Sequence, residues 1–310
     1  MRTGKNPQKE DHLVKLKTNH RVIMVIFIPE LSGYYENMYD VLKLSLKSLI
    51  KSLPGSSAIT LVDNGSCETV RDFLIQLFRQ KKVDTLTLLD ENIGKIDAQI
   101  GAARAAREPL ITLPDCDILF RENWVRETIQ LFNTFHNVSS VAPYPTRRGF
   151  TYFTFSTLKS ILLGKNKLNF EPVPENFEYY NTFLESINWN KEQDKNAPWP
   201  VLKRNNIKAI VGGDHQILTL RRSILFAFSP HQPSLIKVGN NSENTYVDLP
   251  IDRSGGLRLS TYHYHAHHMG NAVEKWMVDI LHNQKDTKGK LVLQIAPLKK
   301  VSNNSINYKL

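Results

Sequence analysis

Between residues 20 and 142 the chain alternates short, β-branched apolar runs with longer segments whose apolar residues recur every three or four positions. Residues 21–28 form an unbroken run of this kind, the pattern of a strand buried on both faces. Leu42, Leu46, Leu49, Ile50 and Leu53 then mark a helix that Pro54-Gly55 ends. Further strands are expected at 58–62, 85–89, 110–113 and 138–142, with a helix whose inner stripe is Val70, Phe73, Leu74, Leu77 and Phe78 and helices over 95–107 and near 122–135 between them. Strands separated by helices of this length imply an α/β fold, with a mainly parallel sheet covered by helices on both faces. In such sheets ligands bind beyond the carboxyl ends of the strands, so the residues that follow each strand are where chemistry is expected.

After Pro143 the rhythm breaks. Residues 144–199 hold 12 of the 29 Phe, Tyr and Trp residues, and Pro172, Pro174, Pro198 and Pro200 interrupt regular structure. Strands are expected again at 207–211, 216–220 and 257–264, and a helix at 272–282. The expected organisation is a basic N-terminal extension (1–19), a strand–helix half (20–142), a second half of the same domain (143–283) and a basic C-terminal appendage (284–310).

Composition narrows the function classes. The longest apolar run has seven residues, Val22 to Ile28, far short of the roughly 20 that a membrane helix needs. No secretory leader is visible, and with only Cys67 and Cys116 neither a disulfide framework nor a cysteine zinc site is available, which fits a reducing cytoplasmic setting. The net charge of +10 is concentrated at the ends: residues 1–20 contribute +3 and residues 284–310 contribute +5. A nucleic-acid binder places its basic charge on a folded face, so nucleic acid is not an expected partner. Lysine-rich ends are attracted to anionic lipid, giving peripheral contact with the inner face of a membrane as one expectation and plain solubilising tails as the other.

Four strand ends carry polar residues: Pro29-Glu30, then Asp63-Asn64-Gly65-Ser66, then Asn92-Ile93-Gly94-Lys95, and finally Asp115-Cys116-Asp117. Alone, an aspartate after a strand is most often a turn former or helix cap. Two carboxylates at i and i+2 beyond the pleat of a strand can also converge on one hard divalent cation, magnesium or manganese. Taken together and in this order, the set resembles the nucleotide-sugar-binding half of the GT-A glycosyltransferase fold, in particular the family-2 glycosyltransferases, over residues 20–125.

The resemblance implies an enzyme that transfers a sugar from a nucleotide-diphosphate donor, with uridine favoured as the base, to a glycan or lipid-linked acceptor, with inversion. It implies Asp117 as the direct metal ligand, and Asp115 at the ribose or at the metal through water. It also implies Asp63 at the nucleobase, with Pro29 and Glu30 lining that pocket, and Asn92 and Lys95 near base and phosphates. His263, His265 and His267 share one face of the expected strand and His268 the other. By the resemblance His268, just before Met269-Gly270-Asn271, completes the metal site, with His265 in reserve.

The stretch that would carry the catalytic base departs from the family pattern. Family-2 members show an adjacent Glu-Asp pair after a Gly-rich strand and an Arg-Arg pair. Here Gly212-Gly213 and Arg221-Arg222 are present, but the acidic stretch reads Glu243-Asn244 and then Asp248 and Asp252. Asp248 is the first choice, Asp252 the second, with Glu243 and Asp214 behind. Tyr179, Tyr180, Trp189 and Trp199 are candidates to stack on acceptor sugar rings, against the alternative of subdomain core. Arg147-Arg148 would meet an acceptor diphosphate or form a solvated turn. The competing functions are a sugar nucleotidyltransferase, which needs a Gly-rich phosphate loop where this chain has Pro29-Glu30-Leu31, and a non-catalytic nucleotide-sugar or glycan-binding module.

Overall fold

The computed structural model describes residues 14–287 and 289–294, together with residues 4 and 6. Most of the basic ends lie outside the described residues, and with them the question of membrane contact. No helix among the described residues is long and apolar enough to cross a membrane.

The first half alternates as expected. Strand β1 (His20–Ile26) leads to helix α1 (Met38–Ser52), β2 (Ser57–Asn64), α2 (Glu68–Arg79), β3 (Thr85–Leu89), α3 (Lys95–Ala105) and β4 (Leu110–Pro114). Next come β5 (Ile118–Phe120), α4 (Trp124–Thr134) and β6 (Val138–Ala142). The second half adds β7 (Leu168–Pro172), β8 (Pro198–Arg204), β9 (Ile207–Val211), β10 (Ile217–Arg221), β11 (Leu257–Thr261) and β12 (Ala266–His268). Ten strands form one sheet in the order β3-β2-β1-β4-β10-β6-β11-β9-β8-β7. The pairs from β3 to β4 are all parallel. Beyond β4, strands β10, β9 and β7 run against the rest, so seven of the ten strands point one way.

Burial follows the apolar pattern. Leu42, Leu46 and Leu49 of α1 are at most 1% exposed, and they pack on the same core as Val22, Met24 and Ile26 of β1 and Ile59 and Leu61 of β2. Removing a Leu of this kind costs about 2–5 kcal/mol.

Two elements differ from the sequence pattern. A strand forms at β8 despite its prolines. Residues 198–200 pair only with β7, while pairing to β9 begins at Val201, so the prolines sit where the second ladder asks for no N–H. The strand expected at 257–264 stops at Thr261, whose Oγ1 donates to the His263 carbonyl, and the chain leaves the sheet. It resumes as β12, which pairs with β5 in a separate two-stranded ladder. The period-two alignment of His263, His265 and His267 is thereby broken, and no three-histidine site forms.

The described part of the C-terminal segment lies along the body: Thr287 N donates to Lys51 O, Gly55 N to Gly289 O and Leu291 N to Ser56 Oγ.

His20 crosses the base of the sheet as a buried polar string. Its Nδ1 lies 2.9 Å from Ser57 Oγ and its Nε2 2.7 Å from Thr112 Oγ1, which in turn meets Thr219 Oγ1 at 2.5 Å. Burial pushes the imidazole pKa down to about 3, so the folded chain refuses a proton that the unfolded chain takes below 6.5. Stability therefore falls as pH drops from 6.5 toward 3, by about 1.4 kcal/mol per pH unit from this group alone. Urea denaturation at pH 7, 5.5 and 4 is expected to show a shallower acid-side loss in His20→Gln than in the unaltered protein. An unchanged slope would refute the assignment.

Candidate active site

The turn after β2 is held by side chains. Asp63 is fully buried; its Oδ1 accepts from Ser66 N at 2.9 Å and its Oδ2 from Arg71 Nε at 3.0 Å. Asn64 reaches the turn after β3, donating to Asn92 Oδ1 at 3.0 Å and accepting from Ile93 N at 3.1 Å. Gly65, at φ +85°, lets the two turns touch: a Cβ there would lie 2.9 Å from Asn92 N. Asp63, expected at the nucleobase, and Asn92, expected near base and phosphates, both brace the loop walls. Pro29 and Glu30 follow β1 as exposed residues.

Lys95 opens α3, and residues 234–237 cross that helix start as a strap. Lys95 N donates to Lys237 O, and Asp97 accepts from Ser234 N and Leu235 N. Gly94 permits the crossing, since a Cβ would meet Ile236 O at 2.4 Å. The strap delivers Glu243. Lys95 Nζ then sits 2.5 Å from Asp115 Oδ1 and 2.5 Å from Glu243 Oε1. Burial opposes its charge, but the two carboxylates outweigh it and hold the ammonium well above its ordinary value.

The network continues inward. Glu243 Oε2 lies 3.2 Å from His215 Nε2, and His215 Nδ1 lies 3.1 Å from Asp248 Oδ2. A carboxylate at each ring nitrogen favours the imidazolium form of His215, in which both nitrogens donate. Burial works against that charge, and Asp248 and Glu243 override it, raising the pKa. Asp248 is carried by a π-helical turn, Asn244–Asp248, and is 0% exposed. Its Oδ1 accepts from Arg258 at 2.6 Å and its Oδ2 from the Tyr152 hydroxyl at 2.9 Å.

Asp117 and His268 form a second contact. Residue 268 pairs with Ile118 across the β5–β12 ladder, and Met269 N donates to Asp117 O. This register sets His268 Nε2 3.2 Å from Asp117 Oδ2, while Ser186 Oγ lies 2.9 Å from Nδ1. Asp117 Oδ1 is buried with no hydrogen-bond partner. Burial would raise the Asp117 pKa, but the His268 charge lowers it overall, and Asp117 in turn raises that of His268. The His265 backbone is fixed by its neighbours: its N donates to Pro143 O and its carbonyl accepts from Arg121 N.

Residues 34–192 match the profile of Glycosyl transferase family 2, 159 of the chain's 310 residues. The chain belongs to this family. Among solved structures, it is similar to a mannosyltransferase from Pyrobaculum calidifontis in complex with GDP-Man and Mn2+, at 12% identity over 79% of this chain and 54% of that one, TM-score 0.44. It is also similar to residues 1–349 of TarS from S. aureus, at 10% identity over 81% of this chain and 60% of that one, TM-score 0.46. A third is GalNAc-T7 with UDP, GalNAc and Mn2+, at 16% identity over 81% and 43%, TM-score 0.49. The chain spans about half the length of these structures. No curated protein sequence matches it.

In this family-2 chain the two carboxylates expected to act as base are otherwise engaged. Asp248 is fully buried and held by Arg258, Tyr152 and His215. Asp252 Oδ1 accepts from Ser156 N at 2.7 Å at the start of the helix Phe155–Leu162, so its carboxylate holds a helix end. Sequence reading gave no role to His215, Tyr152 or Arg258; only Gly212-Gly213 ahead of Asp214 and His215 hinted at a special turn. Asp248→Ala leaves the buried Arg258 guanidinium without its counter-charge, and is expected to cost about 3–5 kcal/mol in urea denaturation. Asp252→Ala removes only a cap and should cost about 1 kcal/mol. Equal losses would contradict this division of roles.

Proposed function

We propose that the chain is a divalent-metal-dependent glycosyltransferase that moves a sugar from a nucleotide-diphosphate donor, a UDP-sugar by family resemblance, to a hydroxyl of a glycan or lipid-linked acceptor with inversion. The observation that carries this reading is the Asp117–His268 contact beyond β4, with one Asp117 oxygen buried and unpartnered. A carboxylate oxygen suits manganese or magnesium, the imidazole nitrogen favours manganese of the two, and the orphaned oxygen is an acceptor open to a cation. Asp117 and His268 would hold the ion, with Asp115 beside them. Among the described residues no three such side chains close around an ion alone, so diphosphate and water would fill its remaining positions. When bound, the ion would supply neutralisation of the charge that builds on the leaving diphosphate.

The chain's own groups divide the remaining work. Lys95 fixes Asp115 and Glu243 in one arrangement and adds positive charge where the phosphates are expected. Arg258, Tyr152 and His215 keep Asp248 ionised, and Asp248 in turn holds His215 against Glu243. Inversion needs one carboxylate free to take the acceptor proton. Asp214 fits: it has no ion pair among the described residues, the Thr146 hydroxyl faces it, and it lies two residues before Gln216, whose carbonyl accepts from Asp115 N at 2.7 Å. Burial raises its pKa above the ordinary 3.8, which makes it a stronger base than a free aspartate.

The binding-module reading retains support from one feature, the enclosure of Asp248. Turnover separates the two. A panel of nucleotide-sugars with manganese is expected to show slow hydrolysis that chelation abolishes and Asp117→Ala eliminates. Asp214→Asn should lower kcat by about 10²–10⁴ while donor binding is kept. The acid limb of kcat/KM should lie above pH 3.8, because Asp214 must be unprotonated to act. Donor binding without turnover in the unaltered protein, or hydrolysis indifferent to metal, would overturn the proposal.

A further inference from the structure

A cavity of about 330 Å³ opens between the turn that follows β6 and the β7–β8 hairpin, and the charge network does not use it. Its walls combine Arg147, Arg148 and the Glu192 carboxylate with Phe150, Phe170 and the rings of Pro198 and Pro200. Arg147 is paired with Glu192, which an Asn181 clamp holds in place: Glu192 N donates to Asn181 Oδ1 and Asn181 Nδ2 to Glu192 O. Arg148 has no carboxylate within ion-pair distance among the described residues. Its guanidinium lies 4.3 Å from the ring centre of Trp189, which stiffens it without neutralising it.

The same turn reaches the catalytic side. Gly149 packs backbone to backbone on Gly212, where a Cβ on Gly212 would lie 2.1 Å from Gly149 O, directly ahead of Asp214. Three residues on, Tyr152 donates to Asp248. Tyr180, also in the cavity wall, feels the charges of Arg148, Arg147 and Asp214 together.

We propose that this cavity is the acceptor subsite and that it takes a saccharide bearing an oxyanion, phosphate or carboxylate. This rests on the transferase reading above. The volume is at the small end of ligand pockets, enough for one ring and its substituent and too little for a whole nucleotide-sugar. Flat Phe and Pro faces match the C–H face of a pyranose, and a planar guanidinium with uncompensated charge matches an oxyanion better than a neutral hydroxyl.

Calorimetry on the full chain with glucose 6-phosphate, glucuronate and glucose tests this, the first two separating phosphate from carboxylate as the preferred group. At low salt at least one charged sugar is expected to bind tenfold or more tightly than glucose. Arg148→Gln, an exposed position whose fold a melting curve checks, should erase that difference and leave glucose unchanged. Phe170→Ala, 58% exposed in the parent, should weaken charged and neutral sugars alike. Equal affinity for all three sugars, or a charge preference that survives Arg148→Gln, overturns the assignment. Metal-dependent donor hydrolysis by the unaltered protein is the separate control. If it is absent while the charge preference holds, the transferase reading fails and the oxyanion site stands. If it is present without the preference, only the subsite falls.

Discussion

Six charges of alternating sign run through the centre of this protein: Asp115, Lys95, Glu243, His215, Asp248 and Arg258. Each sits against an opposite charge, and several are too buried to stand alone, so the arrangement holds only as a set. Asp115 and Lys95 come from the parallel half of the sheet, whereas the other four come from the half beyond residue 200. The fold of the second half is thus tied electrostatically to the strand ends of the first. Lys95 is the joint, since its ammonium pairs with Asp115 on one side and with Glu243 on the other.

The geometry around this string explains several local departures from regular structure. The strap over α3 exists because it must carry Glu243 to Lys95, and Gly94 is the residue that lets it pass. The π-helical turn at Asn244–Asp248 rotates Asp248 inward to the buried Arg258. The exit of the chain from the main sheet after Thr261 frees it to pair with β5, which puts His268 one residue from the level of Asp117. All three place a charged group at the carboxyl ends of the strands, where a doubly covered sheet leaves room for a ligand.

Much of the first half was legible in the sequence because its signals are local. Strands β1 to β4 and the helices between them are written in apolar period, and the turns after them in Gly, Asn and Asp. The second half was less so. The prolines of β8 argue against a strand until it is known that one flank of residues 198–200 has no partner. The histidines at 263–268 read as one strand because nothing local marks the departure at Thr261. Among the aromatic candidates, Trp199 and Tyr180 are buried in the core whereas Trp189 stands half exposed under Arg148, a sorting that no spacing rule contains.

The sequence by itself determined the α/β class, the parallel core and the identity of the acidic groups that end the fourth strand, since each depends on neighbours within a dozen residues. Only the tertiary structure decided which carboxylates are occupied. Asp248 and Asp252 look equally available in a linear chain, and it is the approach of Tyr152 and Ser156 from distant segments, with Arg258 turned inward ten residues after Asp248, that closes them. A carboxylate's availability is set by what else is within about 3 Å of it, and that distance is a property of folded space, not of position along the chain.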